Sequence, residues 1–133
     1  MITIVARWEY SQMPAELEWR MWRQLKAFGI KRFIFTPVSD ELSAVSIEQY
    51  PTMKEALSHV TEGNRVFLES TGQNSMNDLP PRNEDVVFIL GSTTRNNVKF
   101  MQPEESFRIA EPMVSDMYPT SAAAIALAFW HGQ

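Results

Sequence analysis

Short apolar runs alternate with helical patterns along the 133 residues of this chain. A continuous apolar run predicts a strand that is covered on both faces, as the strands of parallel sheets are. Apolar residues at helical spacing, or a capping sequence such as Thr52 to Glu55, predict the helices between them. This alternation predicts one α/β domain over residues 1–133, with a mostly parallel sheet and helices on both faces. The predicted strands are residues 2–6, 31–36, 65–69, 85–90 and 107–109.

The first predicted helix, residues 14–28, carries apolar residues on two sides. One side is a stripe at helical spacing, which we expect to face the core. Trp19 and Trp22 fall on nearly the opposite side of the helix. Because large exposed aromatic groups usually mark an interface, both tryptophans are predicted to contact a partner. The stripe expected to face the core consists of Leu17, Met21, Leu25 and Phe28.

The final predicted helix is apolar around its whole circumference between Ala122 and Trp130. A helix of that kind is buried on all sides. In a chain of this length, one face would pack on the chain's own sheet and the other on something else. Together with Trp19 and Trp22, this helix predicts a homodimer in which the same surfaces of two copies meet.

Three loops that follow predicted strands are candidates for a ligand site. In open parallel sheets, ligands bind outside the carboxyl ends of the strands. The loops are residues 69–72, 90–93 and 110–113, and Gly72 and Gly91 would allow a backbone to approach closely. Each loop alone could simply turn the chain, but three loops at one edge favour a site.

Composition narrows the choice of function. The chain has 16 acidic and 12 basic residues, a net charge of −4, and no run of Lys or Arg. Affinity for nucleic acid must therefore be local, come from an oligomer, or be absent. With no Cys and only His59 and His131, no metal site is predicted. Because there is no signal-peptide pattern and no apolar run of the roughly 20 residues that span a bilayer, a cytoplasmic protein without membrane contact is expected.

Several segments match motifs of one known family. The spacing from Arg23 to Phe28 and Gly29 is that of an Asn-x-Gly-x-x-x-Arg motif leading to Phe-Gly and a strand. Residues 50–57 look like that family's second helix, and residues 87–92 look like its strand ending in Gly-Ser-Glu. Residues 109–113 and the alanine-rich helix after them are similar to the segments that finish its fold. The chain thus resembles the SPOUT superfamily of knotted S-adenosylmethionine (SAM)-dependent methyltransferases, particularly the group that methylates ribose 2′-hydroxyls in tRNA and rRNA.

This resemblance implies a C-terminal trefoil knot, a SAM cofactor held in the three loops, and RNA as a possible partner. The product would be S-adenosylhomocysteine. It also implies a catalytic role for Arg23, which would reach the acceptor hydroxyl from the opposite subunit of the homodimer. The alternative for Arg23 is an ordinary surface or interface salt bridge. The cofactor-binding residues that the resemblance implies are Ser70, Thr71, Gly72, Leu90, Gly91, Ser92, Ile109, Ala110, Pro112 and Met113.

The chain departs from the family pattern where the chemistry should be. Leu17 and Trp19 occupy the Asn and Gly positions of the first motif, and Thr93 replaces the Glu that follows Gly-Ser. Two functions therefore stay open. One is a SAM-binding protein that methylates the ribose 2′-hydroxyl of RNA. The other is a catalytically inactive SPOUT-fold dimer that acts as a binding or regulatory protein.

Overall fold

A sheet of six parallel strands forms the centre of the computed structural model, which describes residues 1–9, 13–43, 45–109 and 117–133. Within these residues the strands are β1 (Ile2–Arg7), β2 (Ile30–Thr36), β3 (Glu48–Gln49), β4 (Asn64–Leu68), β5 (Val86–Leu90) and β6 (Ser106–Phe107). The α-helices are α1 (Ala15–Gln24), α2 (Met53–Ser58) and α3 (Pro119–His131). The strand order is β3-β2-β1-β5-β4-β6. The predicted α/β class, with a parallel sheet and helices on both faces, is confirmed.

Strand β5 shows why a continuous apolar run is needed here. All five of its residues are buried, because helices cover both faces of the sheet. Phe88 and Leu90 belong to the core beneath α1 and α3, whereas Val87 and Ile89 belong to the core beneath α2. Met53, Ala56 and Leu57 of α2 are buried, and Thr52 caps that helix as predicted by accepting the backbone N–H of Glu55 at 3.1 Å.

The predicted stripe faces the core only in part: Leu25 is buried and Phe28 packs against the core, but within α1 the core side belongs to the tryptophans. Trp22 is fully buried and Trp19 is only 6% exposed, whereas Leu17 is 48% exposed. The two tryptophan rings pack edge-on against Phe35 of the central sheet, with centroids 5.6 and 6.0 Å apart. The helical stripe gave every apolar residue the same weight, but the large aromatic rings bury the most surface and take the core side. The prediction that Trp19 and Trp22 form an interface is therefore wrong.

Helix α3 is buried on one face only. Ala123, Ala126, Leu127 and Trp130 pack against the sheet, while Ala128 and Phe129 are exposed in the protomer. The exposed side of α3 faces away from the sheet, and it is the side for which the sequence predicted contact with a second copy of the chain. The predicted knot depends on the path of residues 110–116, which lie outside the described residues, and it stays a prediction.

Smaller elements complete the connections. Gly29 ends the helical turn Leu25–Phe28 that follows α1, with a φ of 85° that favours glycine. Strand β3, at the edge of the sheet, was not predicted because Glu48 and Gln49 lack an apolar run. None of the helices in the described part of the chain is long and apolar enough to cross a membrane.

Candidate functional site

A cavity of about 270 Å³ lies at the carboxyl edge of the sheet, between the ends of β4 and β5 and the start of α3. This is the edge at which the sequence predicted a ligand site. The apolar side chains that line it are those of Leu68, Leu90, Ile109, Met117, Pro119 and Ala122. Its polar lining comes from Glu69, Ser70, Ser92, Thr93, Thr94, Arg95 and Asn96. The lining therefore combines apolar side chains with hydroxyls, an amide and charges of both signs.

The structure brings together part of the predicted cofactor site. Five predicted residues line the cavity, and they come from the three separate loops: Ser70, Leu90, Gly91, Ser92 and Ile109. Thr71 and Gly72 follow β4 but are not part of the lining that the described residues form. The remaining three, Ala110, Pro112 and Met113, lie outside the described residues. Sequence reasoning placed Glu69 in a candidate loop without assigning it a role and missed Thr94, Arg95 and Asn96, because polar residues in loops carry no periodic signal.

Gly72 serves a different purpose from the one expected. A Cβ atom at this position would lie 2.3 Å from the backbone carbonyl carbon of Phe107. The close approach that a glycine permits is therefore made by the chain itself, between the loop after β4 and strand β6. Arg108 strengthens this junction by donating to the carbonyl oxygens of Gly72 and Gln73, at 3.2 and 2.9 Å.

The loop after β5 folds back on itself beside the cavity. Ser92 donates its backbone N–H to the carbonyl oxygen of Arg95 at 2.8 Å, and its hydroxyl accepts the N–H of Arg95 at 3.1 Å. A Cβ atom on Gly91 would come within 2.2 Å of that same carbonyl oxygen. Gly91 is thus required by the tight turn, which fixes the polar wall of the cavity.

A buried carboxylate anchors this loop to the start of the chain. Glu9 is 1% exposed and accepts the backbone N–H of Thr93 at 2.8 Å as well as its hydroxyl. The backbone N–H of Glu9 in turn donates to Glu18 of α1 at 2.6 Å. Glu9 therefore places a carboxylate next to Thr93, one of the residues that line the cavity. The sequence contains no motif that pairs these two residues.

Charged groups of both signs meet at the mouth of the cavity. Burial raises the pKa of Glu69, although the backbone N–H of Asn97 donates to its Oε1 at 3.0 Å. Arg7 donates its Nε to the side-chain oxygen of Asn97 at 2.8 Å. Burial and the nearby charge of Arg95 lower the pKa of Arg7. The positive charge of Arg7 lowers the pKa of Glu69 and partly offsets the effect of burial, although no direct ion pair joins the two groups within the described residues.

Arg23 lies far from this cavity within one protomer. Helix α1 returns from the carboxyl end of β1 to the amino end of β2, so its last turn lies at the opposite edge of the sheet. The side chain is exposed, and it makes no hydrogen bond or ion pair with any residue the structure describes. It could act at the cavity only from a second copy of the chain.

A metal centre finds no support in the side chains that the structure places. No three His, Asp or Glu residues come together among residues 1–9, 13–43, 45–109 and 117–133 in a way that could hold an ion.

The fold is similar to that of known methyltransferase structures. A candidate RNA methyltransferase from Bacillus anthracis superposes with a TM-score of 0.68 at 15% identity, over 98% of this chain and 95% of that one. A structure concerned with the 2-OH methylation of C/U34 on tRNA gives 0.66 at 16% identity, over 98% and 93%. A candidate methyltransferase from Legionella pneumophila, in complex with SAM, gives 0.65 at 13% identity, over 98% of this chain and 65% of the other. The sequence itself matches no protein-family profile and no curated protein.

Proposed function

We propose that this protein binds SAM in the cavity at the carboxyl edge of the sheet and belongs to the SPOUT-type methyltransferases that act on RNA. The observation that carries the proposal is the cavity itself, which is lined by residues of three separate loops in a chain that shares its fold with RNA methyltransferases. One similar protein was solved with SAM bound. The ribose 2′-hydroxyl is the acceptor that the sequence resemblance favours.

The residues present fit the cofactor in their chemistry. Small-molecule sites combine an apolar lining with a few polar groups, in volumes of roughly 300–1,000 Å³. The cavity, at about 270 Å³, lies close to the lower end of this range, and three further predicted contacts lie outside the described residues. Leu90 and Ile109 would contact the adenine, while Ser70, Ser92 and the backbone around Gly91 would hold polar groups. When bound, SAM supplies a methyl group activated by a positively charged sulfur.

Glu69 is the residue whose carboxylate would interact with that positive charge. Only its Oε1 accepts a hydrogen bond in the described structure, so Oε2 remains available to a ligand. Burial raises the pKa of Glu69 and so disfavours the ionised carboxylate, even with the positive charge of Arg7 nearby. A positively charged ligand would favour the ionised form. Glu69 would therefore orient the cofactor and favour SAM, with its positively charged sulfur, over the product S-adenosylhomocysteine.

We also propose a homodimer that forms through the exposed face of α3. Phe129 is 48% exposed and Ala128 next to it is exposed, so this face is apolar and uncovered in the protomer. Exposed apolar patches of this kind mark contact surfaces. A second copy could bring its Arg23 toward the cavity, where a guanidinium would orient a phosphate or offset developing charge.

A substrate RNA also agrees with the cytoplasmic location predicted from the sequence.

A second candidate function is a binding protein that retains the cofactor site without catalysis. The position of Leu17, where the family pattern has Asn, favours it, because this side chain is 48% exposed and carries no hydrogen-bonding group. Both candidates share the fold and the cofactor cavity, and they differ only in methyl transfer.

Transfer of a labelled methyl group from SAM to an RNA pool separates the two. For a methyltransferase, we expect the wild type to label RNA, and Arg23→Ala to lose most of this labelling while cofactor affinity and the fold are kept. Arg82→Ala is the matched control, because Arg82 is also exposed and no ion pair involves it in the described structure. A wild type that binds SAM but labels no RNA would establish the binding protein instead.

A further inference from the structure

The positive charge of this acidic protein is concentrated in one segment. Five of its 12 Lys and Arg residues lie between Trp19 and Ser39, and none of its 16 Asp and Glu residues does. The segment comprises the end of α1, the turn after it and strand β2. These cations are Arg20, Arg23, Lys26, Lys31 and Arg32. Because they are spaced three to five residues apart or next to each other, they form no continuous basic run in the sequence.

Three of these cations, Lys26, Lys31 and Arg32, line a groove between α1 and the edge strand β3, which we call the α1–β3 groove. It has a volume of about 310 Å³, and its lining includes Trp19, Lys26, Lys31, Arg32, Phe33 and Glu48. Trp19 and Phe33 form an apolar floor and are only 6% and 7% exposed. Lys26 and Lys31 are exposed, and the ammonium group of Lys26 lies 5.6 Å from the centre of the Trp19 ring.

The cations of this surface divide into paired and unpaired groups. Arg32 forms a bidentate ion pair with Glu48, and Arg20 forms an ion pair with Glu16 at 3.2 Å. Lys26 and Lys31, and Arg23 one turn before Lys26, have no carboxylate partner among the residues that the structure describes. The positive charge of these three groups is therefore available to an external anion.

We propose that the α1–β3 groove docks the phosphate backbone of a single-stranded RNA, an inference that rests on the proposed function. Phosphate contacts by Lys and Arg supply most of the sequence-independent affinity for nucleic acid. The groove offers several cations at one surface, as a chain of phosphates requires. Its aromatic rings are too deeply buried to stack on bases, so recognition depends on charge and not on sequence.

The groove lies at a different edge of the sheet from the cofactor cavity. Its lining begins at the amino end of β2, whereas the cavity lies beyond the carboxyl ends of β4 and β5. A strand of seven residues such as β2 spans about 23 Å at roughly 3.3 Å per residue. The groove therefore holds a part of the RNA that is several nucleotides away from the cavity, and its role is docking.

The four lysines of the chain supply a matched experiment. The test variant is the double substitution Lys26→Glu and Lys31→Glu, and the control is Lys54→Glu and Lys99→Glu, which changes the net charge equally at exposed positions outside the groove. Binding of a labelled oligouridine is followed by fluorescence anisotropy, without cofactor and over a range of salt concentrations. Circular dichroism and light scattering verify that each variant keeps the fold and oligomeric state of the wild type.

We expect the groove variant to lose at least tenfold in affinity at low salt and the control to lose much less. The slope of log K against log salt should fall by about 1.4, because each lost contact to a single strand removes about 0.7. Equal losses of affinity in both variants would overturn the groove as the docking surface. A wild type that binds polyglutamate, as a second polyanion, but no oligouridine would overturn it as well. Cofactor binding is measured separately, so these results do not depend on the proposed SAM site.

Discussion

Trp22 donates its indole N–H to Glu18 at 2.9 Å, and both side chains are buried within the protomer. The second carboxylate oxygen of Glu18 accepts the backbone N–H of Glu9. Glu9 in turn binds Thr93 in the wall of the cavity. A chain of hydrogen bonds, buried at Glu18 and partly buried at Thr93, thus connects α1 to the candidate site. Removing one partner leaves a buried polar group unsatisfied, which costs more than the hydrogen bond contributes.

Substitution Trp22→Phe should destabilise the protein more than Trp19→Phe does. Both changes remove a similar volume from the same aromatic cluster, but only the first leaves an oxygen of Glu18 without its donor. The difference in the free energy of unfolding should be about 1–3 kcal/mol. Urea denaturation of the two variants measures it. Equal losses would show that the hydrogen bond to Glu18 contributes nothing beyond packing.

Glu69 should make stability depend on pH in the mildly acidic range. Burial raises its pKa in the folded protein above the ordinary value of 4.5. The folded state therefore binds the proton more readily than the unfolded state does, and the stability present at low pH is lost as the pH rises through the folded pKa. Glu69→Gln should remove this loss, because an amide oxygen still accepts the N–H of Asn97 but does not titrate. Parallel curves of unfolding free energy against pH for the two proteins would contradict it.

Glu69→Gln should also weaken the binding of SAM more than that of S-adenosylhomocysteine. The two ligands share the adenosine and amino-acid groups, and only SAM carries a positive charge on sulfur. A carboxylate in the cavity wall favours that charge, so we expect SAM to lose about tenfold more affinity, or ~1.4 kcal/mol. Calorimetric titration of both ligands gives the comparison. An equal loss for both would mean that Glu69 contacts a group that they share.

The exposed face of α3 gives a prediction about assembly. The wild type should scatter light as a dimer of the 15.3 kDa chain, and Phe129→Glu should yield a folded monomer because it places a charge in the apolar contact. Val98→Glu is the control, since Val98 is equally exposed at 49% but lies outside α3. A monomeric wild type, or a Phe129→Glu protein that remains dimeric, would exclude this interface.

The sequence predicted the sheet well because parallel strands leave a strong pattern. Residues 86–90 must be apolar at every position to be covered on both faces, and this pattern is visible without coordinates. The orientation of α1 was predicted incorrectly, since the helical stripe gave Leu17 the same weight as the larger rings of Trp19 and Trp22, which pack on Phe35. Glu9 was missed, and Glu69 was placed in a candidate loop without a role of its own. Their roles depend on contacts across 84 and 28 residues of chain.

Binding of SAM to the wild-type protein tests the central claim most directly. Calorimetry should detect the heat of SAM binding for the wild type and for Ala27→Phe, a substitution at an exposed position outside the cavity. It should detect none for Ala122→Phe, because Ala122 lines the cavity and a phenylalanine ring there would occupy its space. A ligand that binds only the folded state should also stabilise it by about 2.7 kcal/mol at a concentration 100 times its Kd, which raises the melting temperature. No heat and no thermal shift for the wild type at millimolar SAM would contradict the proposed function.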